Sequence, residues 1–303
     1  MLRNLWSTVF EASFFSNDAV QVALIIGAVV SVVSALVGTF TVIRGQSFAG
    51  HSLADIGSAG GSAAFLVGVP TFYGFVACNV AAAAVMELIG IRRPRGRDLA
   101  TGIVLGAALG LAALFLYLDT TASSTTGATN SILFGSLFTV DPSIVPVVSL
   151  FGIAVVAVIA ALFRPLLLTA VSYDLAAVRG VPVRLVGAAY LLTLAVAVSL
   201  SAVTIGAILS TALLIGPAAT SLRVTARTGP ALIVAAVLGL VATWAGILIA
   251  YDSADWDASG QGLPVSFCIV CVVFALYLLA ALPARYRSAR LARQISAHAL
   301  TVH

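Results

Sequence analysis

A stripe of polar side chains lies at the start of one of the long apolar segments of the chain. Ser47, His51, Asp55, Ser58 and Ser62 are spaced by four, four, three and four residues. In an α-helix this spacing places all five on one face, with the histidine and the carboxylate one turn apart. Ionisable groups at membrane depth are costly, and they usually line a pathway or pair with each other. The stripe is therefore the candidate functional site of the chain.

The pair His51 and Asp55 allows two interpretations. Asp55 can accept a hydrogen bond from the imidazole, so that the pair is structural and helps to fix a helix kink. Alternatively, imidazole nitrogen and carboxylate oxygen together suit zinc or manganese. Two ligands are too few for a stable site, since zinc takes about four. Two copies of the chain on a twofold axis would supply two histidines and two aspartates, and a weak site suits a conduit that the ion must leave again.

The composition is that of an integral membrane protein. Of the 303 residues 61% are hydrophobic and 9% are charged, whereas soluble domains carry about 25% charged residues. The net charge of +4 does not indicate a nucleic-acid partner, because the basic residues are all arginines in short clusters between apolar runs. Such clusters are typical of the loops that set membrane topology. We expect one transmembrane domain spanning residues 1–303.

Nine apolar runs are long enough for transmembrane helices, which need about 20 residues each, so the sequence predicts an all-α membrane protein with eight or nine spans. The nine runs are 19–43, 52–69, 72–91, 99–118, 143–163, 184–203, 204–222, 230–251 and 263–283. The boundary between the sixth and the seventh rests mainly on length. Residues 131–138 are too short to cross and fit a short re-entrant helix buried in protein. Gly102, Gly106 and Gly110 form a double GxxxG, for which we expect close helix packing within the bundle.

The arginines predict the orientation of these spans. With the N-terminus outside and nine spans, fourteen of the fifteen arginines are cytoplasmic and only Arg3 is not. The positive-inside rule therefore predicts a multi-pass plasma-membrane protein with an outer N-terminus and a cytoplasmic C-terminus. Residues 1–18 form a predicted interfacial segment and residues 285–303 a cytoplasmic tail. The acidic or hydroxyl-rich outer loops 119–130 and 252–261 either attract cations or are simply solvated.

The longest predicted cytoplasmic connection, 164–183, contains a helical stretch. This stretch runs from Tyr173 to Arg179 and is followed by Gly180 and Pro182, which end a helix. A short helix at the cytoplasmic face is a surface that a soluble partner could bind. A structured connector without a partner is the alternative.

The sequence offers little for catalysis. Two of its three histidines, His298 and His303, lie in the tail, and it has no nucleophile motif, phosphate loop or HExxH. Energy for transport must therefore come from an ion gradient or from a separate ATPase. Apart from Asp55, only Glu87 is an ionisable residue well inside a span, which gives little support to a gradient-driven carrier. An ATPase partner fits better.

Four stretches resemble the metal-ion permease subunits of ATP-binding-cassette importers, the ABC-3 family. Residues 44–61 are similar to the family signature of a basic residue, S-x-x-G and a pair of acidic or histidine ligands, and residues 131–138 resemble a further stretch. Residues 173–184 are similar to the family's DPEFARALGVPV loop, and 205–220 to its GVILVSALLIAPAAT. The four stretches follow the family's order and cover nearly the whole length.

The resemblance implies a type II importer fold and an assembly. The expected partners are a second permease copy or a paired homologue, cytoplasmic ABC ATPase subunits and an extracytoplasmic metal-binding protein. The loop 173–184 would hold the coupling helix that docks in the ATPase. Its expected coupling residues are Tyr173, Asp174, Ala177, Arg179 and Gly180.

The resemblance also implies that a divalent metal ion, manganese, zinc or iron, is a transient cargo at His51 and Asp55, with no tightly bound cofactor. Many members read Asp-x-x-x-His where this chain has His51-x-x-x-Asp55. The inversion keeps both ligand types on one face but leaves the metal and the geometry open. A permease for a metal chelate or vitamin, a gradient-driven metal carrier and a membrane scaffold without transport activity remain alternatives.

Overall fold

The computed structural model describes residue 14 and residues 17–89, 94–122, 132–135, 137–253, 256 and 262–300, with the backbone alone for residues 89, 94–98, 100, 122 and 283–300. Within these residues the chain is helical and has no β-strand, as the sequence predicts. Ten α-helices follow one another: α1 Asp18–Ile43, α2 Ser47–Val67, α3 Thr71–Ile89, α4 Pro94–Ala122, α5 Val145–Val171, α6 Tyr173–Val178, α7 Val183–Ile205, α8 Ala207–Val224, α9 Thr228–Asp252 and α10 Val265–Leu300. Two short 3-10 turns, Leu137–Thr139 and Pro142–Ile144, precede α5.

The nine long helices correspond in order to the nine predicted spans. Within the described ranges, eight of them are long and apolar enough to cross a membrane. The helix outside this group is α2, which carries the polar stripe and has 21 residues. At 1.5 Å per residue α2 is about 30 Å long, the thickness of the hydrocarbon core. It tolerates polar residues because α3, α4, α7 and α8 pack around it.

The predicted end of the fifth span differs from the structure. Helix α5 continues to Val171 with Pro165 inside it, so the first eight residues of the predicted loop 164–183 are helical. An arginine at position 164 suggested the end of the span, but a long arginine side chain can reach the interface from within a helix. Helix α10 also continues, to Leu300, but its candidate membrane span Val265–Leu282 agrees with the predicted span 263–283.

Some predictions fall on residues that the structure does not describe. These are most of the interfacial segment 1–18 and most of the outer loops 119–130 and 252–261. Of the aromatic residues in the first segment only Phe14 is described. It is buried, and its ring contacts Tyr251 edge-on at a centroid distance of 5.1 Å.

Helix α1 lies at the centre of the bundle, where α5, α7, α8 and α9 contact it. Several crossings bring backbones together at glycines. A Cβ atom at Gly38 would overlap the carbonyl oxygen of Leu214, and Cβ atoms at Gly60 and Gly74 would each overlap the carbonyl oxygen of the other residue. Small residues at such crossings allow the closest approach between membrane helices. Glycine therefore fixes how α8 lies on α1 and how α3 lies on α2.

The double GxxxG of α4 does not take part in such a crossing within the part of the chain that the structure describes. A Cβ atom at Gly102, Gly106 or Gly110 would have no neighbour within 4 Å. The expectation that these glycines pack within the bundle is therefore wrong for a single chain. The spacing showed that the three glycines share one face of the helix, but it could not show whether that face packs against another helix or points out of the bundle.

A one-residue turn joins α7 to α8. This residue, Gly206, has a φ of +87°, which only glycine adopts readily. The predicted boundary after residue 203 lies two residues from the observed end of α7 at Ile205. Gly135 of the predicted short helix 131–138 lies with its backbone against this turn, and its neighbours Ile132 and Leu137 are buried. Ile132 and Leu137 are thus covered by protein, whereas Phe134 between them is exposed, so the chain itself covers only part of the described segment.

Candidate functional site

A tight turn after α1 places the polar stripe at the first residue of α2. Gly45 has a φ of +64°, and the N–H of Gln46 donates a 2.8 Å hydrogen bond back to the carbonyl of Thr41. The helix then runs from Ser47 to its left-handed cap at Gly68, whose φ is +76°. The two glycines define where α2 begins and ends, and thereby fix the position of the stripe along the helix.

Two members of the stripe, His51 and Asp55, have side chains that are exposed at the surface of the chain. Between residues 50 and 62, every position of α2 is buried except His51, Asp55 and Gly60. The side chain of His51 is 50% exposed and that of Asp55 is 21% exposed. The two ionisable groups of the stripe therefore occupy the face of α2 that the rest of the chain leaves uncovered.

The serines farther along α2 play a different part. The hydroxyl of Ser58 donates to the carbonyl of Asp55, and that of Ser62 donates to the carbonyl of Ser58 at 2.7 Å. Both side chains are buried. Hydroxyl groups that bond to their own helix are satisfied without water or ligand. Of the predicted five-residue stripe, His51 and Asp55 thus form an open pair, Ser58 and Ser62 bond within the helix, and Ser47 is its first residue.

The pair itself has a geometry that fits a shared ligand. His51 Nε2 lies 3.6 Å from Asp55 Oδ2. Two donors bound to one metal ion at 2.0–2.2 Å with a tetrahedral angle stand about 3.4 Å apart. The observed separation is therefore close to what one bridging ion requires. The imidazole is also held from its other side, since Nδ1 lies 3.0 Å from Oγ1 of Thr211 on α8.

Sequence reasoning assigned no role to Thr211. It belongs to the stretch 205–220, which resembles the family, but 160 residues separate it from His51. No periodicity connects positions so far apart, and only the packing of α8 against α2 brings them together.

One chain by itself provides two side chains of metal-ligating type at this place, His51 and Asp55. In the described part of the sequence, His, Cys, Asp and Glu side chains nowhere gather in a group of three or more. The donor set of one imidazole and one carboxylate is suited to borderline and hard divalent cations and contains no thiolate. Two donors would make up about half of a tetrahedral coordination shell.

Arg44, at the turn before α2, connects this turn to three other helices. Its guanidinium donates to the hydroxyls of Thr169 at 2.6 Å and of Tyr173 at 3.4 Å. It also lies over the ring of Tyr190, 5.1 Å from the centroid. The turn that begins α2 is thereby joined to the end of α5, to the first residue of α6 and to α7.

The five predicted coupling residues lie on one exposed element. Ser172 caps α6 by accepting a hydrogen bond from the N–H of Leu175, and Gly180 with a φ of +78° ends it, so the predicted helix and its stop signal are confirmed. Ala176 is fully buried and anchors the helix. The exposed positions around this anchor include Tyr173, Asp174, Ala177, Arg179 and Gly180.

This fold is that of the membrane-spanning permeases of type II ABC importers. PsaBC from Streptococcus pneumoniae in complex with Fab matches with a TM-score of 0.74 and 24% identity, over 92% of this chain and 95% of that chain. A transporter of the metal-chelate type in an inward-facing conformation matches with a TM-score of 0.69 and 16% identity, over 87% and 85% of the two chains.

The chain belongs to the ABC 3 transport family, whose model matches residues 16–283. It is 30% identical to the manganese transport system membrane protein MntC of Halalkalibacterium halodurans over 274 residues, 90% of each chain. It is 31% identical to the manganese import system permease protein ScaB of Streptococcus pneumoniae over 263 residues, 86% of this chain and 88% of that one. The family expected from the sequence is therefore confirmed. The protein is a multi-pass membrane transport subunit and not itself an enzyme.

Proposed function

We propose that this chain is the permease subunit of an ATP-driven importer of divalent transition metal ions, with manganese as its main cargo and zinc or iron as lesser ones. The observation that carries this proposal is the pair His51 and Asp55, whose donor atoms lie 3.6 Å apart on the open face of α2. Nitrogen and oxygen donors without thiolate suit manganese. The names of the relatives, which are manganese transport proteins, support the same cargo.

The cargo site is completed by a second permease copy. An ionisable pair that faced lipid would cost several kcal/mol, so the open face of α2 must lie against protein or a water-filled path. A twofold axis beside this face brings two imidazoles and two carboxylates together. Four such donors form a full shell that the ion can still leave when the two copies separate.

Energy enters at α6. The exposed side of this helix binds a cytoplasmic ABC ATPase, and Arg44 joins the first residue of α6 to the turn that begins α2. The N-terminus lies outside and the C-terminus in the cytoplasm, as the arginines indicate. An extracytoplasmic metal-binding protein delivers the ion to the outer end of the path.

The test measures uptake of manganese, zinc and iron into proteoliposomes that contain the permease assembled with its ATPase. Each ion is measured with and without ATP. His51→Ala and Asp55→Ala should each reduce ATP-dependent uptake by at least about 100-fold while assembly with the ATPase is kept. Glu87→Gln, which removes the other ionisable side chain within a predicted span, is the matched control and should transport normally.

Three outcomes would contradict the proposal. Normal uptake by both site variants would refute the site. Metal uptake in vesicles that lack the ATPase would show a gradient-driven carrier. Uptake of a metal chelate or vitamin in place of the free ion would assign the chain to the other type II permeases.

A further inference from the structure

We propose that Thr211 is a positioning residue of the cargo site. Its Oγ1 accepts a hydrogen bond from Nδ1–H of His51 and so directs Nε2, as the metal-binding nitrogen, toward Asp55. This inference rests on the proposed function and deepens it. The two atoms are 3.0 Å apart, and they join α2 to α8 at the open face.

The chemistry of imidazole requires such a choice between its two nitrogens. A neutral ring has one N–H and one lone pair, and the partner of one nitrogen determines the state of the other. A proton on Nδ1 leaves the lone pair on Nε2, which is the atom 3.6 Å from Asp55 Oδ2. If Thr211 donated instead, Nε2 would carry the proton and could not bind a metal ion. Metal-binding histidines characteristically donate their other N–H to a neighbouring acceptor.

The hydroxyl of Thr211 is well placed to hold the imidazole ring of His51, because α8 is packed firmly against α1 and α2 near Thr211. One turn farther along α8, the carbonyl of Leu214 touches Gly38 of α1 directly, and the side chain of Leu214 lies over Gly50 of α2. His51, by contrast, is half exposed and has little packing of its own to hold its rotamer. A fixed acceptor beside a loosely packed ligand preorganises that ligand.

The decisive comparison is Thr211→Val, which keeps the shape but loses the acceptor, with Thr211→Ser, which keeps the acceptor. Manganese binding is measured by calorimetry on the purified permease–ATPase complex. The kinetics of manganese uptake are measured in proteoliposomes that contain the same complex. Thr211→Val should weaken manganese binding by about 10- to 100-fold and raise KM in proportion, with a much smaller change in maximal rate. Thr211→Ser should retain most of the affinity.

Unaltered manganese affinity and KM in Thr211→Val would overturn the inference. So would a Thr211→Ser variant as weak as Thr211→Val, because then packing of the methyl group and not the hydroxyl would matter. Thermal unfolding of both complexes shows that the fold is kept. Should Thr211→Val not assemble, Thr211→Ala gives the same comparison with Thr211→Ser.

The variant His51→Ala separates this inference from the proposed function. In its background Thr211→Val should cause no further loss of manganese binding, because the hydroxyl acts through the imidazole. If His51→Ala alone binds manganese normally, the cargo site itself is wrong. If His51→Ala loses binding while Thr211→Val does not, only the role of Thr211 is refuted.

Discussion

The guanidinium of Arg44 donates a 2.6 Å hydrogen bond to the hydroxyl of Thr169, although 125 positions separate the two residues in the chain. Thr169 is buried in the last turn of α5 and also donates to the carbonyl of Leu166. With the ring of Tyr190 beneath it, the guanidinium has a planar partner and a polar one. These contacts hold the turn between α1 and α2 in place.

We predict that Arg44→Lys lowers the stability of the folded permease by about 1–3 kcal/mol. An ammonium group can neither stack on Tyr190 as a planar guanidinium does nor reach Thr169 and Tyr173 together. The measurement is thermal unfolding of the purified protein in detergent. Arg227→Lys, at another arginine, which is exposed, is the matched control, and an equal effect of both changes would contradict the prediction.

The backbone contact between α2 and α3 gives a second prediction. Gly60→Ala should destabilise the protein by about 1–3 kcal/mol, because the new methyl group would overlap the carbonyl of Gly74 and push the helices apart. Gly102→Ala on α4 enters open space and should change the free energy of unfolding by less than about 0.5 kcal/mol. Unfolding in detergent with a denaturant series compares them. Helix propensity favours alanine at both positions, so an equal change in the free energy of unfolding of the two variants would show that propensity and not the crossing controls the effect.

A third prediction concerns α6. Ala177→Glu and Arg179→Glu should weaken assembly with the ATPase by about 10-fold or more, since each places a new negative charge in the proposed interface. Both positions are exposed, so the melting temperature of the isolated permease should not change. Arg227→Glu reverses a charge at an exposed position outside α6 and serves as control. Normal co-purification of both α6 variants with the ATPase would place the ATPase contact elsewhere.

The proposed cargo site, shared between two permease chains, predicts a definite stoichiometry. Because each chain supplies one imidazole and one carboxylate, the complex should bind about one manganese ion for two permease chains. Elemental analysis of the purified complex after equilibration with manganese measures this ratio. A ratio of one ion per chain would mean that each copy completes its own site, and would refute the twofold arrangement.

Much of the fold followed from the sequence because membrane helices are long and apolar. The run of apolar residues determines where each of α1, α3 and α9 begins and ends to within a few residues. The polar pair on α2 was predictable for the same reason, since a histidine and a carboxylate four residues apart stand out in an apolar segment. Gly180 and Pro182 likewise predicted the end of α6 through local backbone preferences that need no tertiary context.

The features that could not be predicted from the sequence depend on contacts between distant parts of the chain. Nothing local distinguishes Gly60, which meets Gly74, from Gly102, which meets no neighbour. The hydroxyl of Thr211 looks like many others in the sequence until α8 places it beside His51. Arg164 was misleading because a charged residue was taken to end a span, whereas α5 continues beyond it.

The single residue between α7 and α8 determines the direction in which these helices can separate. Two peptide units link Ile205 to Ala207 and span at most about 7 Å, so the helices cannot separate at this end. The backbone of Gly135 lies against the same turn and leaves it little freedom. Any gap between α7 and α8 must therefore widen toward Val183 and Val224 at their other ends. Because of Gly206, α7 and α8 can move apart only at the ends that lie away from this turn.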